Sequence, residues 1–170
     1  MRTGTQNIPG FSLRLLLVAS FAFQLACGTF SSVEGIVQEE GFVVRDASPG
    51  ARWVGDRLVV MVSEEDGQTL RVVTLSLPEA GNLPVGTPIA ISGEKSGQPF
   101  VDVAWGDLDV QHRSDGARIL STIDTQFQHG TEGFLTLQRE ETSLHGTFEV
   151  TLGDGGYLEG AFWLDRIPAH

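Results

Sequence analysis

A single cysteine, Cys27, rules out any disulfide within the chain, so stability has to come from core packing alone. Positive charge is scarce as well. Arg2 and Arg14, two of the 11 Lys+Arg, precede Cys27, whereas all 22 Asp+Glu follow it. From Cys27 onward the balance is therefore nine cations against 22 acids, or −13. Such a surface repels phosphate backbones and anionic lipid headgroups, so nucleic acid is not an expected partner. No apolar run reaches the roughly 20 residues of a membrane-spanning helix. Motifs of common chemistries are missing too. There is no GxSxG, no HExxH, no phosphate-binding glycine loop and no CxxC, and no cofactor is implied.

What is present begins with the N-terminus. Arg2, Arg14 and the α-amino group form a basic region, and the run 15–26 is apolar apart from Ser20 and Gln24. That is the pattern of a secretory signal, with cleavage expected before Cys27. The residues Leu25-Ala26-Cys27 resemble the lipobox of bacterial lipoproteins, in which an aliphatic and a small residue precede the acylated cysteine; Gln24 departs from the aliphatic residue usual at that place. The resemblance implies a lipid (palmitate-type) anchor on Cys27 and a place in the cell envelope. Gly28, rather than Asp, after the cysteine favours the outer membrane or periplasmic face over the inner membrane. An ordinary signal peptide, cleaved nearby, is the plainer alternative. Residues 27–41 are small, polar and acidic apart from Phe30, Ile36 and Val37, and read as a flexible tether. Residues 42–170 are long enough for one domain with a proper core.

From Phe42 onward helical periodicity is nearly absent. β-Branched and aromatic residues recur in short runs cut by Gly, Pro and Asp-Gly, the pattern of an all-β protein. Strands are expected over 42–46, 52–63, 69–77, 88–92, 100–110, 117–127, 133–139, 144–152 and 157–167. Eight or nine of them fit an antiparallel β-sandwich or barrel. Asp66-Gly67, Asp115-Gly116 and Asp154-Gly155 supply the positive φ of tight hairpins. The Pro/Gly segment 77–88 is the expected place for the chain to change sheets.

In the last hairpin Leu144, Gly146, Phe148, Val150 and Leu152 share one face, as do Leu158, Gly160, Phe162 and Leu164. A three-residue loop, Asp154-Gly155-Gly156, keeps those faces together by setting Leu152 opposite Leu158 and Phe148 opposite Phe162. That register puts His145 opposite Asp165 and Thr147 opposite Trp163 on the outward face. His145 and Asp165 form a candidate acid–base pair, although an exposed cross-strand pair is ordinarily surface decoration. An outward Trp163 either covers another element or, with Thr147, His145 and Asp165, serves as a ligand platform.

The apolar parity of 100–110 switches at Gly106, which marks a β-bulge aiming Asp107 and Asp109 the same way. Carboxylates at that spacing are Ca²⁺ ligand types, but the loop lacks the ligand density of an EF-hand and reads as solvated acids. His112, His129 and His145 lie far apart and His170 is terminal, so no metal site is expected. Gly146-Thr147-Phe148 is echoed by Gly160-Ala161-Phe162, as adjacent strands do when glycine makes room for a facing aromatic. This ending, with the Pro-Gly segment 83–93, resembles small bacterial lipoproteins of unknown function with a β-rich domain. The expectation is thus a non-catalytic, membrane-anchored structural or binding module. Two alternatives stand beside it: a small envelope hydrolase using Asp102, Asp107 or His112, and a lipocalin-like carrier with a hollow interior lined by Phe148, Phe162 and Trp105.

Overall fold

The structure, a computed structural model, describes residues 31–46, 49–93, 97–112 and 118–169. The signal-like segment, Cys27, Asp115-Gly116 and His170 lie outside the described residues. So does the side chain of His112. Ten antiparallel strands account for most of what is described: β1 Ser31–Val37, β2 Glu40–Asp46, β3 Gly50–Val54, β4 Arg57–Asp66, β5 Thr69–Pro78, β6 Pro88–Ser92, β7 Phe100–His112, β8 Arg118–Glu140, β9 Ser143–Leu152 and β10 Tyr157–Leu164.

They form one sheet in the order β2-β1-β10-β9-β8-β7-β5-β4-β3, with β6 added beside β8. The path runs from β2 to β3 without closing, so the all-β expectation holds and the barrel form of it does not. Strand β8 explains how one sheet makes two layers. Its first half pairs with β7 and its second half with β9 and β6, with a register shift between Gly130 and Glu132. A Cβ on Gly130 would lie 2.6 Å from a Val150 methyl, so only glycine lets the strand bend so tightly there. The layers then face each other, sandwich-like. The Phe42 ring on β2 meets Trp105 on β7 edge-on at 6.2 Å, and the Ser63 amide of β4 donates to the Asp46 carboxylate of β2 at 3.0 Å. Alternating inward residues of both layers, such as Val33, Phe162 and Leu135 from one and Leu58, Leu75 and Val103 from the other, form a single buried cluster.

Several expectations are borne out. The parity switch at Gly106 is a register shift between Trp105 and Asp107. The segment 77–88 does change layers, since β5 pairs with β4 and β7 whereas β6 pairs with the far half of β8.

Others need correction. Ser31–Val37 is not part of a tether but strand β1, hydrogen-bonded to β2 and β10 on its two sides, with Val33 and Val37 in the core. The expected strand 52–63 is a hairpin turning at Gly55-Asp56, and the two expected strands 117–127 and 133–139 are the one strand β8.

The last hairpin keeps its predicted faces but slides by two residues. Val150 opposes Leu158, Phe148 opposes Gly160, and Gly146 opposes Phe162. Volume decides this register. A Cβ on Gly146 would meet the Phe162 ring at 2.3 Å, and one on Gly160 would meet the Phe148 ring at 3.0 Å. Each phenylalanine therefore fills the space its opposing glycine leaves, whereas Phe against Phe would crowd two rings into one layer of the core. Phe148 and Phe162 belong to the buried core cluster, and Trp105 packs partly buried against it.

Candidate functional site

The outward face of the β1, β10, β9, β8 and β6 layer carries an unusual row. Register sets Glu34 opposite Glu159, Glu159 opposite Glu149, Glu149 opposite Phe134, and Phe134 opposite Ala90. One row along lie Ile36, Tyr157, Thr151 and Glu132. Like charges directly opposite on neighbouring strands repel. The described arginines of this layer, Arg45, Arg139 and Arg166, stand at the other end of its strands, beside Ser32, Leu144 and the end of β10. The repulsion is therefore not relieved from within the row. Around it an open depression of about 540 Å³ is lined by Glu132, Phe134, Glu149, Tyr157 and Glu159 among others. Phe134 and Tyr157 are 54% and 52% exposed, a large apolar area to leave in water.

Toward the other end of the same face lies the predicted platform. His145 sits opposite Trp163, not Asp165, and the two rings stack. Asp165 accepts the Trp163 indole N–H at 2.8 Å. The acid–base pair expected of His145 and Asp165 is thus replaced by a His145–Trp163–Asp165 chain, as the two-residue slide requires. Thr147 opposes Ala161 and is exposed. Trp163 covers His145 and leaves its Nε2 buried without a hydrogen-bond partner. Burial lowers the pKa of His145 below the usual histidine value, and the nearby Glu140 and Asp165 carboxylates only partly counter it.

The second constellation is on the other layer. Asp102 of β7 faces His129 of β8, and the Asp102 carboxylate holds His129 Nδ1 at 2.8 Å. The Phe127 ring abuts the imidazole edge-on at 4.5 Å. Such a bond fixes the imidazole and leaves Nε2 available on an exposed side chain. Asp107 is not part of it. The bulge at Gly106 places Asp107 opposite Ile123, past the register shift, and exposed. His129 was not grouped with Asp102 from the sequence, although the signals were there. The antiparallel pairing of β7 with β8, in which Gly106 faces two residues of β8, Asp124 and Thr125, brings these two positions together. Among the described residues no group of three His, Cys, Asp or Glu side chains is arranged to hold a metal ion. No family model matches the chain, and neither the curated proteins nor the solved structures contain a match to it.

Proposed function

We propose that this protein is an envelope lipoprotein, acylated at Cys27, whose β domain is a non-catalytic binding module. The observation that carries the binding reading is the open depression bearing Phe134 and Tyr157 between carboxylates that no described arginine of the row relieves. A ligand with cationic groups and an apolar body answers both features, since it relieves the Glu159–Glu149 repulsion and covers the rings. Native mass spectrometry of the full-length protein taken from its host membranes tests this. The reading expects a bound species that is lost in Glu149→Lys and in Tyr157→Ala while the fold persists; a ligand-free wild type, or one whose ligand survives both changes, counts against it. For the anchor, intact mass of the wild type against Cys27→Ser should differ by an acylated N-terminus, with loss of detergent-phase partitioning in the variant.

The hydrolase alternative draws its support from the Asp102–His129 pair, which has the form of an oriented base. It expects ester or amide turnover that falls at least about a hundredfold in His129→Gln, the scale of general-base catalysis. Turnover absent from the wild type removes it.

A further inference from the structure

We infer that two copies of this chain pair through the outward face of the layer built from β3, β4, β5, β7 and the first half of β8, on the side away from the carboxylate row. An antiparallel sheet with one face in water alternates apolar and polar residues, as β9 does with Thr147, Glu149 and Thr151 outside its buried series. Strand β4 does not. Leu58, Val60 and Val62 are in the core, yet Val59 and Met61 between them are apolar too. Register carries that character across the layer, from Ser63 through Val72 and Ala104 to Phe127. Met61 and Phe127 are 45% and 49% exposed, so this face has the make-up of a covered surface.

Charge identifies what covers it. Arg52 of β3 and Arg57 of β4 stand at one end of the face. The Arg57 Nε donates to Ser76 Oγ at 2.6 Å and its guanidinium lies over the Phe100 ring at 4.8 Å, which fixes that charge in place. At the other end of β4 stands Glu65, whose row runs through Leu70 and Gly106 to the β8 bulge at Asp124. The adjoining turns keep this contrast. Asp56 and Glu79 balance the two arginines at their end, whereas Glu65, Asp66, Asp107 and Asp124 outweigh Arg71 at the other. Met61 lies midway between Arg57 and Glu65, in the row Gly50, Met61, Thr74, Asp102. A two-fold axis along that row, across the strands, lays the arginine end of each copy over the Glu65 end of the other and sets Met61 near its mate. The carboxylate of Asp102, on the same row, is already bonded by His129. The opposite layer offers no such match, because Glu34, Glu149 and Glu159 would meet their own mates.

The extent of the face is sufficient. Five strands by the length from Arg57 to Glu65 give about 24 by 27 Å, or roughly 1,300 Å² buried over both copies, within the range of specific interfaces. The depression on the other layer stays open in such a pair.

Sedimentation velocity of the full-length protein, extracted in a density-matched detergent and run from about 1 to about 100 μM, reads the pairing. A concentration-dependent dimer is expected of the wild type. Met61→Glu, on an exposed side chain, should keep the circular dichroism spectrum and remove the dimer, whereas Thr147→Glu on the other layer should leave it intact. Arg52→Glu and Glu65→Arg should each raise the dimer dissociation constant about tenfold, and the double variant should return it to within about threefold of the wild type. A wild type that stays monomeric throughout, its face covered by another protein or by other parts of its own chain, overturns the inference. So does a dimer indifferent to Met61→Glu, or one that the double variant fails to restore.

Discussion

Alanine is the better strand residue, yet Gly146→Ala should destabilise this domain. Replacing glycine within a strand recovers roughly 0.5–1 kcal/mol of backbone entropy. Against that, the new methyl would lie 2.3 and 2.5 Å from two carbons of the Phe162 ring and 3.1 Å from a Leu137 methyl. Phe162 is 2% exposed and has no solvent side to turn to. Overpacking of a closed core costs about 1–3 kcal/mol, and contacts this short belong at the upper end of that range. The net expectation is a loss of about 2 kcal/mol, equivalent to a fall in Tm of roughly 6–8 °C for a domain of this size. Urea denaturation followed by circular dichroism reads it directly, and a double-mutant cycle with Phe162→Leu assigns it. Phe162→Leu alone should cost about 1 kcal/mol through the volume it vacates, but combined with Gly146→Ala it should recover at least about 1 kcal/mol of coupling. A Gly146→Ala variant as stable as the wild type, or strictly additive effects in the cycle, would refute the reciprocal packing of Gly146 with Phe162 and of Gly160 with Phe148.

Other consequences are as direct. The β1–β2 turn places Gln38 and Glu39 at φ of 50° and 66°, a left-handed conformation costly for side chains with a Cβ, so Glu39→Gly should raise stability by about 1 kcal/mol in chemical denaturation. Asp154 accepts the Gln38 and Gly156 amides, each at 2.8 Å, and joins two turns; Asp154→Ala should cost about 1–2 kcal/mol in the same assay and speed amide exchange at both positions. His145 has a folded pKa below its unfolded value of about 6.5, so the unfolded chain binds more protons in the interval between the two. Its contribution is therefore fully present above the unfolded pKa and is lost as pH falls toward and through the folded one. His145→Phe keeps a ring against Trp163 and removes the titration, so the stability difference between wild type and variant should shift against the wild type as pH drops below about 6.5. A difference flat from pH 7.5 to 5 would show that His145 is not desolvated.

Much of the strand content was legible because inward positions are large and alternate with polar ones, as in β5, β9 and β10. Strand β1 was hidden by the same logic. Its inward residues run Ser31, Val33, Gly35, Val37, and a Cβ at Gly35 would meet the Tyr157 carbonyl oxygen. The close approach of β10 removes the side chain that would have marked the strand. In β8 the two expected strands 117–127 and 133–139 left a gap around Gly130, yet neither Gly130 nor Gly133 ends the strand. They are instead places where a continuous strand bends or touches its neighbour, a Cβ on Gly133 being blocked by the Glu149 carbonyl. The carboxylate row was not legible at all. Glu34, Glu149 and Glu159 are far apart in sequence and meet only through the register of three strands, which a slide of two residues in the last hairpin would have redistributed. Asp102 and His129 show the intermediate case: the register shift was readable at Gly106, but its extra residue falls on β8, at Asp124 and Thr125, and that is what sets His129 opposite Asp102.

Strand β1 enters the domain at Ser31 with hydrogen-bonded neighbours on both sides. Tension applied at the N-terminus would pull it along its own axis, perpendicular to the bonds of both ladders. Those bonds then share the load in shear and must fail together, whereas a terminal hairpin pulled sideways unzips one pair at a time. A pull on the N-terminus therefore loads β1 in shear at once, whereas a pull on the C-terminus first frees the residues after β10, which are held by isolated contacts such as Ile167 to Thr142 and Trp53 to Pro168.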